Sequence, residues 1–316
     1  LQDPAGVRRS PIALTAALAL ALTGCASNGD EDPGDAALTV VASMYPLQHL
    51  VEQVAGGVDV DVTVLTAPGA DPHELELSPR DVAAMGAADL VVYSAGFQPA
   101  VDDAVATQAS AHALDVSGVV DLVETVDEHD DHDEDDGHGH DHGGVDPHFW
   151  LDPTRYAAAA DAIADRMVQL DPANAGTYEA NAASYVAELE ALDAEFTAGL
   201  ADCAQRDVVT THAAFGYLTA RYGLHQIEMT GLAPDAEPSP HRVAEIVELV
   251  RDLGVTAVYA EVLAGSQLAE TVARETGAQV LVLDPVEGIT DASPGEDYLA
   301  VMRANLEALR TGQGCS

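Results

Sequence analysis

Apolar and polar positions along the chain change period several times, and each change marks an element. Residues 38–42 form an apolar run suited to a buried strand, and from Pro46 the apolar residues Leu47, Leu50, Val51 and Val54 recur at helical spacing until Gly56-Gly57. A second strand is expected over 58–65. Ser78 ahead of Pro79 offers an N-cap and a first-turn proline for a helix over 79–85, and 90–93 reads as another buried strand. Strands and helices alternate in this way in a parallel sheet covered on both faces.

The pattern then lengthens. Tyr178, Ala182, Tyr185, Leu189, Leu192, Phe196 and Leu200 recur every three to four residues, with neither Pro nor Gly between Thr177 and Thr197. A helix of about 27 residues there would span roughly 40 Å, longer than one small lobe. Alternation resumes beyond it, with strands expected at 208–211, 257–260 and 280–283 and helices at 213–222, 240–253 and 266–276. Gly223, Gly254 and Gly277 stand where helix-ending glycines belong. Leu-Asp-Pro occurs at 151–153 and again at 283–285, a faint sign of kinship between the halves, and it also occurs at 170–172. The fold class is therefore α/β, two lobes with parallel sheets flanked by helices and joined by one long backbone helix. The N-terminal lobe is 38–173, the linking helix 174–201 and the C-terminal lobe 202–316.

Before the first lobe, Arg8 and Arg9 precede an uncharged run over 12–22 that ends in Leu22-Thr23-Gly24-Cys25. A basic start, a short apolar run and small residues make a secretory signal over 1–24. The run falls short of the ~20 residues a membrane span requires. Leu22 to Cys25 resembles the lipobox of bacterial lipoproteins, which implies cleavage before Cys25 and its acylation, with 25–37 as a flexible tether. The expected location is extracytoplasmic, lipid-anchored to the outer face of the cell membrane. In an exported protein the remaining even pair, Cys203 and Cys315, reads as a disulfide, with two free thiols as the alternative.

The formal net charge is -42 and the chain has no lysine, so no basic patch is available for a nucleic acid. A uniformly acidic, arginine-over-lysine composition would give the same charge, although a negative surface attracts cations in either case. Residues 127–142 are only Asp, Glu, His and Gly and read as a mobile insertion unable to bury a core.

Ligands in open parallel α/β sheets bind beyond the carboxyl ends of the strands, and four metal-competent side chains are expected there. His73 lies in Asp71-Pro72-His73-Glu74 after the second strand, and His148 lies in Asp146-Pro147-His148-Phe149-Trp150-Leu151-Asp152-Pro153. His212 follows the strand at 208–211 and begins a helix, and Asp284 follows the strand at 280–283. Singly, each has a plainer reading as a surface, capping or turn residue. Jointly, two come from each lobe.

Those first two motifs, with Thr211-His212-Ala213-Ala214-Phe215-Gly216-Tyr217-Leu218, closely resemble the zinc/manganese substrate-binding proteins of bacterial ABC transporters, from about residue 38 to the C-terminus. The resemblance implies two lobes around a rigid helix, with the metal held in the interlobe cleft by His73, His148, His212 and Asp284. It also implies delivery to a transporter permease and its ATPase, by a monomer held to the membrane through its lipid. Manganese members typically carry glutamate at the position of His212, so histidine there points to zinc. Three imidazoles and one carboxylate suit tetrahedral zinc better than a carboxylate-rich octahedral ion. Glu261 and Glu74 are read as supporting or reserve carboxylates. His129, His132, His138, His140 and His142 resemble the histidine-rich loop of zinc members, an accessory place for weaker zinc.

Three other readings compete. A manganese- or iron-binding homologue would share the fold, and a surface adhesin or metal buffer would share the anchor without serving transport. A zinc hydrolase would need an open coordination position and a base, yet neither His-Glu-x-x-His nor Gly-x-Ser-x-Gly occurs, and a fourth protein ligand would close the site. The reading is a binding protein and not an enzyme.

Overall fold

A computed structural model describes residues 37–123, 145–232, 238–263 and 265–316. The first sheet contains β1 (Leu38–Ala42), β2 (Val60–Val64), β3 (Leu90–Tyr93) and β4 (Ala113–Asp115) in the order β2-β1-β3-β4, with every pair parallel. The second contains β5 (Asp207–Thr210), β6 (His225–Glu228), β7 (Ala257–Ala260) and β8 (Gln279–Val282) in the order β6-β5-β7-β8, again all parallel. The two lobes thus repeat one topology. Each sheet reverses its winding between its first and third strands, the kind of switch point beyond which α/β proteins place ligands.

The helices of the first half are α1 (Tyr45–Ala55), α2 (Pro79–Ala87), α3 (Pro99–Ala104), α4 (Pro153–Leu170) and α5 (Ala175–Gly199). Those of the second half are α6 (Gly216–Arg221), α7 (Pro240–Asp252), α8 (Gln267–Thr276) and α9 (Tyr298–Gln313). Both faces of each sheet are covered, and the strands show it at period two. Val40 and Ala42 of β1 face a core shared with α1, α4 and α5, while Val41 faces a separate cluster with Met85 and Val101. In β7, Ala257 and Tyr259 join the same shared core, whereas Val258 and Ala260 pack with Ile246 and Val250 of α7. One core therefore runs through both lobes, and α5 forms part of its spine through Tyr178, Ala182, Tyr185, Leu189, Leu192 and Phe196.

Local chemistry explains the element ends. Ser78 and Asp81 form a reciprocal capping box at α2, and Asp152 caps α4 by accepting from the Thr154 backbone N–H at 2.9 Å. Gly223, Gly254 and Gly277 have positive φ, as their places after helices require. The expected helix at 213–222 is shorter than its pattern. α6 starts at Gly216 because the backbone before it is committed elsewhere: the Ala213 N–H bonds to Gly231 O at 3.0 Å, and the His212 carbonyl accepts from Thr210 and Gln226 side chains. His212 consequently sits in a loop. Cys203 and Cys315 form a disulfide that ties the segment entering β5 to the end of α9. No helix among the described residues is long and apolar enough to cross a membrane.

Candidate metal centre

Three histidines and one glutamate converge between the lobes: one ligating atom each from His73, His148, His212 and Glu287 lies within 4.8 Å of the others. His73 Nε2 is 3.3 Å from His148 Nε2, and each is 3.2 Å from Glu287 Oε1. His212 Nε2 is 3.7 Å from the same oxygen. His148 and His212 are fully buried and Glu287 nearly so, while His73 retains some exposure at the rim.

Each histidine is held by a carboxylate that accepts its own backbone N–H. Asp71 Oδ1 accepts from His73 at 2.8 Å and Asp146 Oδ1 from His148 at 3.0 Å, so both Asp-Pro-His segments close the same tight turn. Glu261, directly after β7, accepts from the His212 N–H at 3.0 Å and also takes the Thr211 hydroxyl. Two of these carboxylates also meet the imidazole rings. Asp146 Oδ1 lies 2.8 Å from His148 Nδ1, and Glu261 Oε2 pairs with His212 Nδ1. A carboxylate only accepts, so His148 Nδ1 carries a proton, and the Nε2 atoms of His148 and His212 both face Glu287. Behind His73, Gln98 donates to Pro72 O and to Thr66 Oγ1, each at 3.1 Å, and Phe97 stands edge-on to the His73 ring at 4.7 Å.

The carboxylate in the cluster is Glu287, where the sequence reading expected Asp284. Asp284 stands two residues past the end of β8 and is buried, but its Oδ1 turns back to accept the Val286 N–H at 2.8 Å. Its backbone is bonded in both directions to the Asn305 amide, at 2.9 and 2.7 Å. Val286 has a φ of 58°, rare for a β-branched residue, and this left-handed step precedes Glu287. The sequence carried a partial signal: Asp before Pro is a turn former, and a turn there displaces the ligand position down the chain. Glu74 is exposed and lies outside the cluster, and Glu261 supports His212. Cys25 and His129, His132, His138, His140 and His142 lie outside the described residues.

The electrostatics follow from packing bases and acids into a dry space. Burial lowers the basicity of His212, but Glu261 and Glu287 outweigh it and raise its pKa to about 10. His148 is raised too, since Asp146 and Glu287 overcome its burial. Burial disfavours the charge on Glu287, yet the imidazoles of His148, His212 and His73 around it hold its pKa well below the ordinary carboxylate value. Asp284 is pushed up to about 6, chiefly by burial.

Two parallel-sheet lobes with a shared core, and a buried donor set of three imidazoles and one carboxylate between them, define a two-lobed α/β metal-binding protein. The family model for the zinc-uptake complex component A, periplasmic (ZnuA), matches residues 40–312, and the chain belongs to that family. It is 36% identical over 285 residues to the zinc-binding protein AdcA of Streptococcus pyogenes serotype M3, covering 86% of this chain and 55% of that one. The chain thus spans about half the length of its streptococcal relatives. It is 34% identical over 309 residues to the high-affinity zinc uptake system protein ZnuA of Bacillus subtilis, covering 95% and 96% of the two chains. Among solved structures, Zn(II)-bound AdcA from Streptococcus pneumoniae superposes with a TM-score of 0.74 at 34% identity, over 88% of this chain and 58% of that one.

Proposed function

We infer that this protein captures a zinc ion in the interlobe cleft with His73, His148, His212 and Glu287, and yields it to an ABC transporter for import. The observation that carries the reading is the convergence of three imidazole nitrogens and one carboxylate oxygen, two donors from each lobe. Neutral imidazole nitrogens with a single carboxylate form a tetrahedral set that suits zinc, whereas manganese favours more oxygen donors. Four protein donors fill that coordination, which suits capture and leaves no open position for metal-bound water chemistry.

The names of the relatives support the same direction, since they are described as zinc-binding or as parts of zinc uptake systems. Export through the segment over 1–24, anchoring at Cys25 and residence outside the cytoplasm complete the proposal, consistent with the pneumococcal relative's description as a lipoprotein. The histidines of 127–142 would collect zinc more weakly than the cleft. Cells lacking this protein should lose growth in zinc-depleted medium, recover it with the parent gene, and fail to recover it with a stably folded His148→Ala variant. Full recovery by that variant would remove the cleft from the uptake route.

A further inference from the structure

We propose that Asp284 is the positioning residue that sets Glu287 in the metal centre, acting by fixing the left-handed step at Val286 and not by touching the ion. The inference rests on the reading of Glu287 as a zinc ligand. β8 ends at Val282, and Leu283 N still bonds to Ala260 O at 3.0 Å, so the chain leaves the sheet at Asp284. From there it must bend so that the side chain three residues on meets histidines from both lobes.

Three contacts define that bend. Asn305 of α9 clamps the Asp284 backbone through its N–H and carbonyl, which fixes where the turn begins. The Trp150 indole N–H donates to Pro285 O at 2.7 Å, which fixes the middle. The Asp284 side chain accepts the Val286 N–H and closes a turn that holds Val286 at φ 58°. An isoleucine- or valine-type residue does not adopt that conformation without a constraint, and Val286 is itself buried in the shared core, so it cannot swing outward. Without the Asp284 acceptor, the buried Val286 N–H loses its partner and the backbone can relax toward negative φ, which re-aims Glu287.

Holding the turn and binding the ion make different demands on an acidic residue. What the turn requires of residue 284 is an acceptor oxygen of the right length, which asparagine also has. What a ligand would require is the negative charge. The test is zinc affinity by competition with a chelating dye, together with the visible absorption of the cobalt-loaded protein, for Asp284→Ala, Asp284→Asn and Glu287→Gln in the full chain. Asp284→Ala should weaken zinc by about 10- to 100-fold and shift the cobalt bands toward those of Glu287→Gln. Asp284→Asn should keep the parent bands and stay within about threefold of parent affinity. If the alanine variant does not fold, Asp284→Leu fills the volume without an acceptor and is read the same way. A parent-like Asp284→Ala beside a weakened Glu287→Gln would overturn this inference alone, as would an asparagine variant as damaged as the alanine one. Parent-like binding by Glu287→Gln would overturn the ligand set and this inference with it.

Discussion

The Trp150 indole N–H donates to the Pro285 carbonyl at 2.7 Å, and these residues stand two places after His148 and two before Glu287. The bond therefore ties His148 of one lobe to Glu287 of the other through short, buried links. Tyr298 adds a second tie by donating to the Trp150 carbonyl at 2.6 Å. Trp150→Phe removes the indole donor while keeping an aromatic ring. Loss of one buried hydrogen bond, at about 1 kcal/mol, corresponds to roughly fivefold, so zinc affinity should fall by at least about that factor. Unchanged affinity in a dye-competition titration would show that the two segments are held without this bond.

Glu261 and Asp146 test how far the imidazoles depend on their supports. Glu261→Ala leaves the His212 ring and backbone N–H without their carboxylate and should cost about 10- to 100-fold in zinc affinity. Gly216→Ala should damage His148 from a distance. A Cβ there would stand 2.8 Å from Asp146 Oδ2, so the carboxylate that holds His148 must move. Titration of the glycine variant should show weakened zinc with little change in secondary structure; parent-like binding would mean Asp146 can shift without releasing His148.

Proton release follows from the raised histidines. His212, lifted from 6.5 to about 10, carries a proton at neutral pH in the metal-free protein, and zinc can use only the unprotonated Nε2. Loading must expel that proton, so affinity should climb about tenfold per pH unit for each proton released, through neutrality and toward pH 10. Calorimetry in buffers of differing ionisation enthalpy should detect about one proton or more per zinc at pH 7.5. The metal-free protein carries the linked effect. A raised histidine contributes stability that is fully present below about 6.5 and is lost as pH rises through about 10. Zinc affinity that is flat from about pH 7 to about pH 9 would contradict the proton inventory of the cluster.

The disulfide lies at the amino-terminal end of the second sheet, away from the strand ends that carry His212 and Glu287. Closing a loop with a separation of 112 residues contributes about 4 to 5 kcal/mol in the chain-entropy model. A Cys203→Ser, Cys315→Ser double variant should melt on the order of 10 °C lower yet bind zinc with parent affinity when folded. Loss of zinc binding in the folded variant would show that the bridge shapes the cleft.

Much of this architecture is written in periodicity. β3 and β7 occur at the residues their apolar runs mark, and the stripe from Tyr178 to Phe196 lines one buried face of α5. β4 and β6 left little trace because their short sequences, Ala113–Asp115 and His225–Glu228, contain no apolar run. The three histidines were legible because prolines and strand ends announce their loops. Glu287 was not, because its placement depends on a valine in a conformation that valine's own preference opposes. The Leu-Asp-Pro segments at 151–153 and 283–285 share chemistry: Asp152 and Asp284 each accept a backbone N–H two residues on, from Thr154 and Val286. One starts a helix and the other opens the turn that leads to Glu287.

The most direct test of zinc capture by the cleft is titration calorimetry with zinc and manganese on the protein from Ala26 onward, comparing the parent with His212→Ala and with a deletion of 127–142. One tight zinc site with much weaker manganese binding is expected, a site that His212→Ala cripples and the deletion leaves intact. Tight zinc binding that survives His212→Ala but disappears with 127–142 would contradict capture by the cleft.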